Sequence, residues 1–250
     1  MSDAAGPNQN TTEDTVYQGR VKLVQPEAGF RAGFDSLALA AALPAMEKGE
    51  ALEVGCGCGG ALLPAAFRLP GLRFVGLEQV PAMAELAREG ARLNGFAPRV
   101  RVEAGEASDW VQAHENRFDL VFANPPYFEP GKISAPGEGK AGAYIESLPL
   151  EGWVKAMLFA AKPRAPVILI HRAAELARLL VPLDRQAGEI TVLPIASKPG
   201  EPARRVLVRA RKGLKRGPLT LLSPLVTHTE DGADRTAAAD AIIQGLSVVW

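Results

Sequence analysis

Residues 51–60 read Ala-Leu-Glu-Val-Gly-Cys-Gly-Cys-Gly-Gly, and this stretch decides the fold. A short apolar run breaks into Gly55, Gly57, Gly59 and Gly60, which is how a strand turns sharply into a helix beside a ligand. Working outward, residues 73–78 repeat the apolar run. Residues 81–94 carry Pro81 at the start, Ala, Leu, Met and Glu within, and Asn94-Gly95 as a stop, so they read as a helix. Residues 100–103, 118–123 and 166–170 are further strands, and residues 150–161 a helix. Alternation of this kind predicts an α/β, Rossmann-like, doubly wound and mostly parallel seven-stranded sheet. Residues 190–194 and 205–209 are expected to close it as an antiparallel edge pair.

The rest of the chain fits one domain over residues 16–250. Residues 1–15 are polar and are expected to be a disordered tail rather than a leader or an anchor. Residues 16–24 alternate like a strand or small hairpin, and residues 35–43 form a short helix. Residues 128–147, rich in Gly, Pro and Lys, are a candidate lid. No apolar run approaches the roughly 18 residues a membrane span requires. Cys56 and Cys58 are too close for a stabilising disulfide and lack further ligands for a metal, so no metal is expected and the compartment reads as reducing, hence cytoplasmic. Nothing argues for an oligomer, and a monomer is favoured. Lys plus Arg equal Asp plus Glu, 28 against 28, which excludes a general polyanion binder but not a local basic face.

In doubly wound sheets, ligands bind beyond the carboxyl ends of the strands. The polar residues that follow the strands are therefore the candidates. Glu53 immediately precedes the glycine turn, where a carboxylate would repel the pyrophosphate of a dinucleotide. It suits a cationic ligand such as S-adenosylmethionine, with its ammonium and sulfonium groups. Glu78 ends the next strand and can accept both hydroxyls of a ribose. Glu106 follows the third strand and can accept from an adenine amino group.

Asn124-Pro125-Pro126-Tyr127 follows the fourth strand and is the sharpest signal. Neither proline has a backbone N–H, and each forces extended geometry on the residue before it. The segment is stiff and offers mostly acceptors, namely the Asn124 side-chain oxygen and the Pro125 carbonyl. Such an array holds a planar NH₂ group, a double donor. Accepting both N–H bonds favours pyramidalisation and aims the nitrogen lone pair at a methyl carbon, so positioning and electrostatics do much of the catalysis. Tyr127 offers a ring on which an unstacked base can lie.

Taken together, the glycine turn, Glu78 and Asn124 to Tyr127 resemble class I S-adenosylmethionine-dependent methyltransferases that act on amino groups. The stretch Gly29-Phe-Arg-Ala-Gly-Phe-Asp-Ser-Leu-Ala-Leu-Ala40 is similar to the N-terminal motif of the tRNA1(Val) adenine-N6 methyltransferase family, as are Asp231-Gly232, Thr236 and a final helix. The resemblance implies methyl transfer to adenine N6 in RNA, most naturally tRNA. It also implies that Arg31 and Asp35 help enclose the methionine end of the cofactor or the target base. In that family a basic residue and an acid follow the Tyr. Here Ala143-Tyr144-Ile145-Glu146 lacks the basic partner, which leaves Glu146 without a role.

Lys198, Arg204, Arg205, Arg209, Arg211, Lys212, Lys215 and Arg216 are opposed only by Glu201 over residues 198–216. This run is expected to meet RNA phosphates, with Lys132 and Lys140 of the candidate lid extending it; the alternative is a solvated edge strand. His114, His171 and His228 have no metal or triad spacing. Release-factor glutamine methyltransferases also use the acceptor motif, but they carry a longer helical region before the turn. Guanine-N2 rRNA methyltransferases remain open, as does a non-catalytic RNA-binding module.

Overall fold

The computed structural model describes residues 10–28, 31–127 and 148–250. The chain opens with a hairpin in which β1 (Thr11–Val16) pairs antiparallel with β2 (Val21–Pro26). There follow α1 (Phe34–Ala42), β3 (Gly49–Val54), α2 (Leu62–Arg68), β4 (Leu72–Glu78), α3 (Pro81–Leu93), β5 (Val100–Ala104), α4 (Ala107–Trp110) and β6 (Leu120–Ala123). Then come α5 (Leu150–Ala160), β7 (Pro166–Arg172), α6 (Leu176–Gln186), β8 (Ala187–Ala196), β9 (Arg205–Lys212), β10 (Thr220–Leu221), β11 (Leu225–Val226) and α7 (Ala237–Ile243). No helix among the described residues is long and apolar enough to cross a membrane.

The main sheet runs β5-β4-β3-β6-β7-β9-β8, with β10 and β11 both paired to β8. Strands β5 to β7 are mutually parallel, and β9 is antiparallel to both its neighbours. The sheet therefore has nine strands rather than the expected seven, because the two-residue β10 and β11 are too short to show as a pattern. The basic β9 is not at an edge; it lies between β7 and β8.

Burial explains why the central strands read as continuous apolar runs. Leu52 and Val54 of β3 face one core with Val121, Met157 and Val208, while Ala51 faces the other with Leu63, Phe74 and Phe122. A strand covered on both faces has no polar alternation. From β3 the chain moves outward to β4 and β5, then returns to place β6 on the other side of β3. The carboxyl ends of β3 and β6 thus flank a topological switch point, where such folds bind ligands.

The hairpin corrects the expected tail, since residues 11–15 form a strand and residues 1–9 lie outside the described residues. Thr-Thr-Glu-Asp-Thr has no apolar face to mark a strand, and β1 is held by its pairing with β2, which a long-range partner anchors. Asn94, just after α3, binds the Lys22 backbone at both N–H and carbonyl, at 2.9 and 2.7 Å. At the other end, the last carbonyls of α1, which have no partner inside the helix, are met by the C-terminal segment. Val248 N–H donates to Ala41 O at 2.9 Å and Trp250 Nε1 to Ala42 O at 2.8 Å. The half-buried Arg68 guanidinium joins Ala40 O, Gly245 O and Ser247 Oγ.

Replacing Arg68 with Met removes the donor that joins Ala40 O, Gly245 O and Ser247 Oγ. The expected loss is about 2–3 kcal/mol of stability, seen as a lower urea midpoint with an unchanged slope. An unchanged midpoint would show that the C-terminal segment does not hold α1.

Candidate active site

The turn after β3 is built by backbone geometry. Gly55, Gly57 and Gly59 have φ of +69°, +54° and +88°, a region that favours glycine. Gly55 N–H and Cys56 N–H both donate to Leu77 O, at 2.7 and 2.9 Å, which pins the turn to β4. A Cβ on Gly55 would stand 2.3 Å from the Trp153 ring, so Trp153 of α5 is the wall behind the turn. A Cβ on Gly57 would meet nothing within 4 Å, so Gly57 borders open space.

Two carboxyl groups face this turn. Glu78 accepts from Gly57 N–H at 2.8 Å on one oxygen and from Val80 N–H at 2.9 Å on the other. Gln79 N–H also reaches this carboxylate, which leaves it acceptor capacity for one further donor. Burial pushes the Glu78 carboxyl above its usual range, and those N–H groups pull it back. Glu53 is buried, and its Oε2 has no hydrogen-bond partner. Burial, and then the Glu78 charge, push its carboxyl well above the usual range. An orphaned buried carboxyl oxygen costs stability until a donor or cation reaches it. The open ground by Gly57, the spare acceptor capacity of Glu78 and the orphan oxygen of Glu53 together fit S-adenosylmethionine: a ribose hydroxyl on Glu78 and a cationic end near Glu53. Glu106 precedes α4 on an exposed surface beyond β5. The Cys56 and Cys58 thiols, buried and pushed up by burial, are inert.

The second half of the site is the motif after β6. Pro125 is buried, and among the described residues no donor reaches its carbonyl. The Tyr127 hydroxyl lies 2.6 Å from Asp35 Oδ2 and 3.2 Å from Asn124 Oδ1. Arg205 Nε donates to the same Asp35 oxygen at 2.8 Å, and its guanidinium lies 4.6 Å over the Tyr127 ring. His171, at the end of β7, meets the ring edge-on at 5.1 Å, and its Nε2 lies 3.4 Å from Pro126 O. Burial pushes the His171 imidazole down to about 4, so it is neutral at physiological pH. Its Nδ1 is buried without a partner.

This geometry revises several expected roles. Asp35 holds the Tyr127 hydroxyl and the Arg205 guanidinium. Arg31 is committed to the hairpin, through Thr12 Oγ1 at 3.0 Å, Pro26 O at 2.9 Å and the Asp14 carboxylate. Gln25 meets the same Asp14 carboxylate through Nε2, and its Oε1 accepts from Ala32 N–H at 2.6 Å. Arg205 is not a free phosphate contact, because Asp35 and Tyr127 hold it. Arg204 is exposed beside it, and Lys198 reaches Asp231 O at 3.2 Å. Arg209 lies toward the opposite end of the sheet, because β9 runs antiparallel to β7 and carries it away from the carboxyl ends. The run from Lys198 to Arg216 is thus two surfaces and not one. Lys132, Lys140, Glu146 and the candidate lid over residues 128–147 lie outside the described residues. Among the described residues, no group of three or more His, Cys, Asp and Glu could hold a metal ion.

Trp153, His171 and Gln25 were not anticipated. The tryptophan and histidine stand far from the motifs in sequence, with no local pattern around them. The position of Gln25 in an apolar alternation was the only trace of its burial.

The chain matches a family model described as a methyltransferase domain over residues 51–134. It is 28% identical over 183 residues to a Yersinia pestis (strain Pestoides F) protein named tRNA1(Val) (adenine(37)-N6)-methyltransferase, covering 71% of this chain and 73% of that one. A solved structure from Agrobacterium tumefaciens, described as a predicted O-methyltransferase, is similar with a TM-score of 0.72 at 26% identity, covering 86% of this chain and 98% of that chain. The tRNA (m1A58) methyltransferase of Aquifex aeolicus shares the fold, with a TM-score of 0.55 at 17% identity, covering 76% and 72%.

The neutral His171 gives a pH prediction. In the unfolded chain a histidine titrates near 6.5, so as pH falls the unfolded state takes up the proton first. The contribution of His171 is therefore complete above about pH 6.5 and is lost as pH falls toward about 4. A loss of roughly 3 kcal/mol is expected across that window. Replacing His171 with Gln should flatten the urea-midpoint profile there, and an acid slope equal to that of the unaltered protein would contradict a buried neutral imidazole.

Proposed function

We propose that this chain, a class I S-adenosylmethionine-dependent methyltransferase, transfers the methyl group to adenine N6 in RNA, with tRNA as the substrate class. The observation that carries the reading is the acceptor array of Asn124 and Pro125 set at the switch point beside the glycine turn. S-adenosylmethionine supplies a methyl group on a positively charged sulfur. What remains for the chain is to hold an amino nitrogen in line with it and to exclude better nucleophiles such as water.

Asn124 and the Pro125 carbonyl are assigned to accept the two N–H bonds of the amino group. A hydroxyl has one hydrogen. In Tyr127 the shorter contact, to Asp35, claims it. The Tyr127 oxygen then presents a lone pair to Asn124 at 3.2 Å. Rotating the Asn124 amide about its last bond places Nδ2 on that lone pair and turns Oδ1 away from Tyr127, toward a donor on the substrate. Asp35 thereby acts through Tyr127 on the orientation of the catalytic acceptor.

The Tyr127 ring is assigned to stack the flipped adenine, worth roughly 1–3 kcal/mol. Arg205 covers one face, so the base takes the other face or displaces the guanidinium. Gly55, Gly57, Gly59, Glu53 and Glu78 are assigned to the cofactor, and Glu106 to its adenine amino group. Proton loss from the methylated nitrogen needs no strong base, because N-methylation makes that proton acidic. The name of the Yersinia relative supports adenine in tRNA. Two buried free cysteines support a reducing, cytoplasmic setting.

Asn124→Ala should lower kcat for tRNA methylation by about 100-fold or more, the scale of losing one aligned polar contact to the transition state. S-adenosylmethionine affinity, measured by calorimetry, should change less than about threefold, which is within 1 kcal/mol. Full activity, or lost cofactor binding with the fold intact, would overturn the assignment.

A further inference from the structure

The sheet has a second end. At the amino-terminal ends of β3 and β7, opposite the carboxyl-end site, lies a cavity of about 690 Å³. Its walls bring Arg209, Arg211 and Lys215 together against one carboxylate, Glu189, over an apolar floor that includes Pro44 and Met46. Arg211 pairs in register with Pro166, where β7 begins, whereas Arg205 pairs with Arg172, where β7 ends. At about 3.4 Å per residue, the two ends stand roughly 20 Å apart along β9.

The cations in the cavity are not equally committed. Arg211 donates through Nε to Arg164 O at 2.8 Å and reaches Glu189 only at 3.4 Å. Lys215 is exposed and makes no ion pair among the described residues. Arg209 is half-buried and lies 4.7 Å over the Trp250 ring; it makes no hydrogen bond or ion pair among the described residues. The indole in turn is fixed by its Nε1–H bond to Ala42 O. A guanidinium laid flat on a fixed indole has lost much of its rotamer freedom and part of its hydration, yet its planar donors are unspent. That combination favours a phosphate, which such donors engage in pairs. The apolar floor suits the sugar or base face that accompanies a phosphate in a nucleotide.

We propose that this cavity binds a phosphodiester of the RNA substrate at a point remote from the target adenine. The inference rests on the reading of the enzyme as an RNA methyltransferase. A tRNA is long enough to touch both ends of the sheet at once. The second contact would add affinity without entering the chemistry.

The test is tRNA binding by fluorescence anisotropy against salt concentration, with the full chain loaded with S-adenosylmethionine. Lys215→Glu and Arg209→Lys are each expected to weaken tRNA binding about tenfold. Lys215→Glu should also lower the slope of log affinity against log salt by about one, whereas Arg209→Lys, which keeps the charge, should leave that slope nearly unchanged. Cofactor affinity and kcat at saturating tRNA should not change. Lys215 is exposed, so its variant guards against a folding defect in the Arg209 variant. If the unaltered protein binds tRNA while both variants keep its affinity and Lys215→Glu keeps its slope, this inference fails and the proposed function stands. If the unaltered protein binds no tRNA, both fail. If millimolar AMP raises the melting temperature of the unaltered protein but not of the variants, while the variants keep tRNA affinity, the cavity serves a free nucleotide and the RNA assignment is overturned.

Discussion

Asp35 accepts from the Tyr127 hydroxyl at 2.6 Å and from Arg205 at 2.8 Å, and through that one carboxylate oxygen three distant segments meet. The first turn of α1, the loop after β6 and the start of β9 would otherwise be independent surfaces. Tyr127 is then held by several partners: its hydroxyl by Asp35, one face by Arg205, and the ring by His171 in a T-shaped contact. With the ring fixed, the two prolines leave the Asn124 side chain and the Pro125 carbonyl little room to drift. In the proposed reaction the acceptor array would be preorganised before any substrate arrives, which is where electrostatic catalysis gains most. A charged carboxylate and guanidinium make this mount stronger than neutral hydrogen bonds would.

The cofactor half follows the opposite logic. There the structure leaves groups unsatisfied: a buried Glu53 oxygen without a partner, spare acceptor capacity on Glu78, and open space at Gly57. Both carboxyls are pushed upward by burial, so a cation entering the turn does more than fill space. It favours the ionised form, which burial disfavours. The site is completed by its ligand, whereas the motif after β6 is complete beforehand.

What was legible in the sequence was what lies close together along it. The glycine turn with Glu53, the acid Glu78 at the next strand end, and Asn124 to Tyr127 each sit directly after a strand, so the βα alternation predicted their convergence. The supports were not legible. Asp35 was singled out, but its role as a mount depends on Arg205, which lies far along the chain. Trp153 and His171 carry no local signal, and β1 has no apolar face to announce a strand. The basic run misled for the same reason. As a string it is one patch, but in an antiparallel strand its two ends point to opposite ends of the sheet. Arg205 packs against Asp35 and Tyr127, and Arg209 faces a separate cavity.

The central claim is that an exocyclic amino nitrogen is the methyl acceptor, held by Asn124. Its most direct test is to incubate the protein with tRNA and S-adenosylmethionine carrying a deuterated methyl group, digest the RNA to nucleosides, and identify the labelled product by mass spectrometry. The account predicts label in N6-methyladenosine. Label in a 2′-O-methylated ribose or on a ring nitrogen or carbon would contradict it, and label in N2-methylguanosine would keep the acceptor geometry but overturn the choice of base.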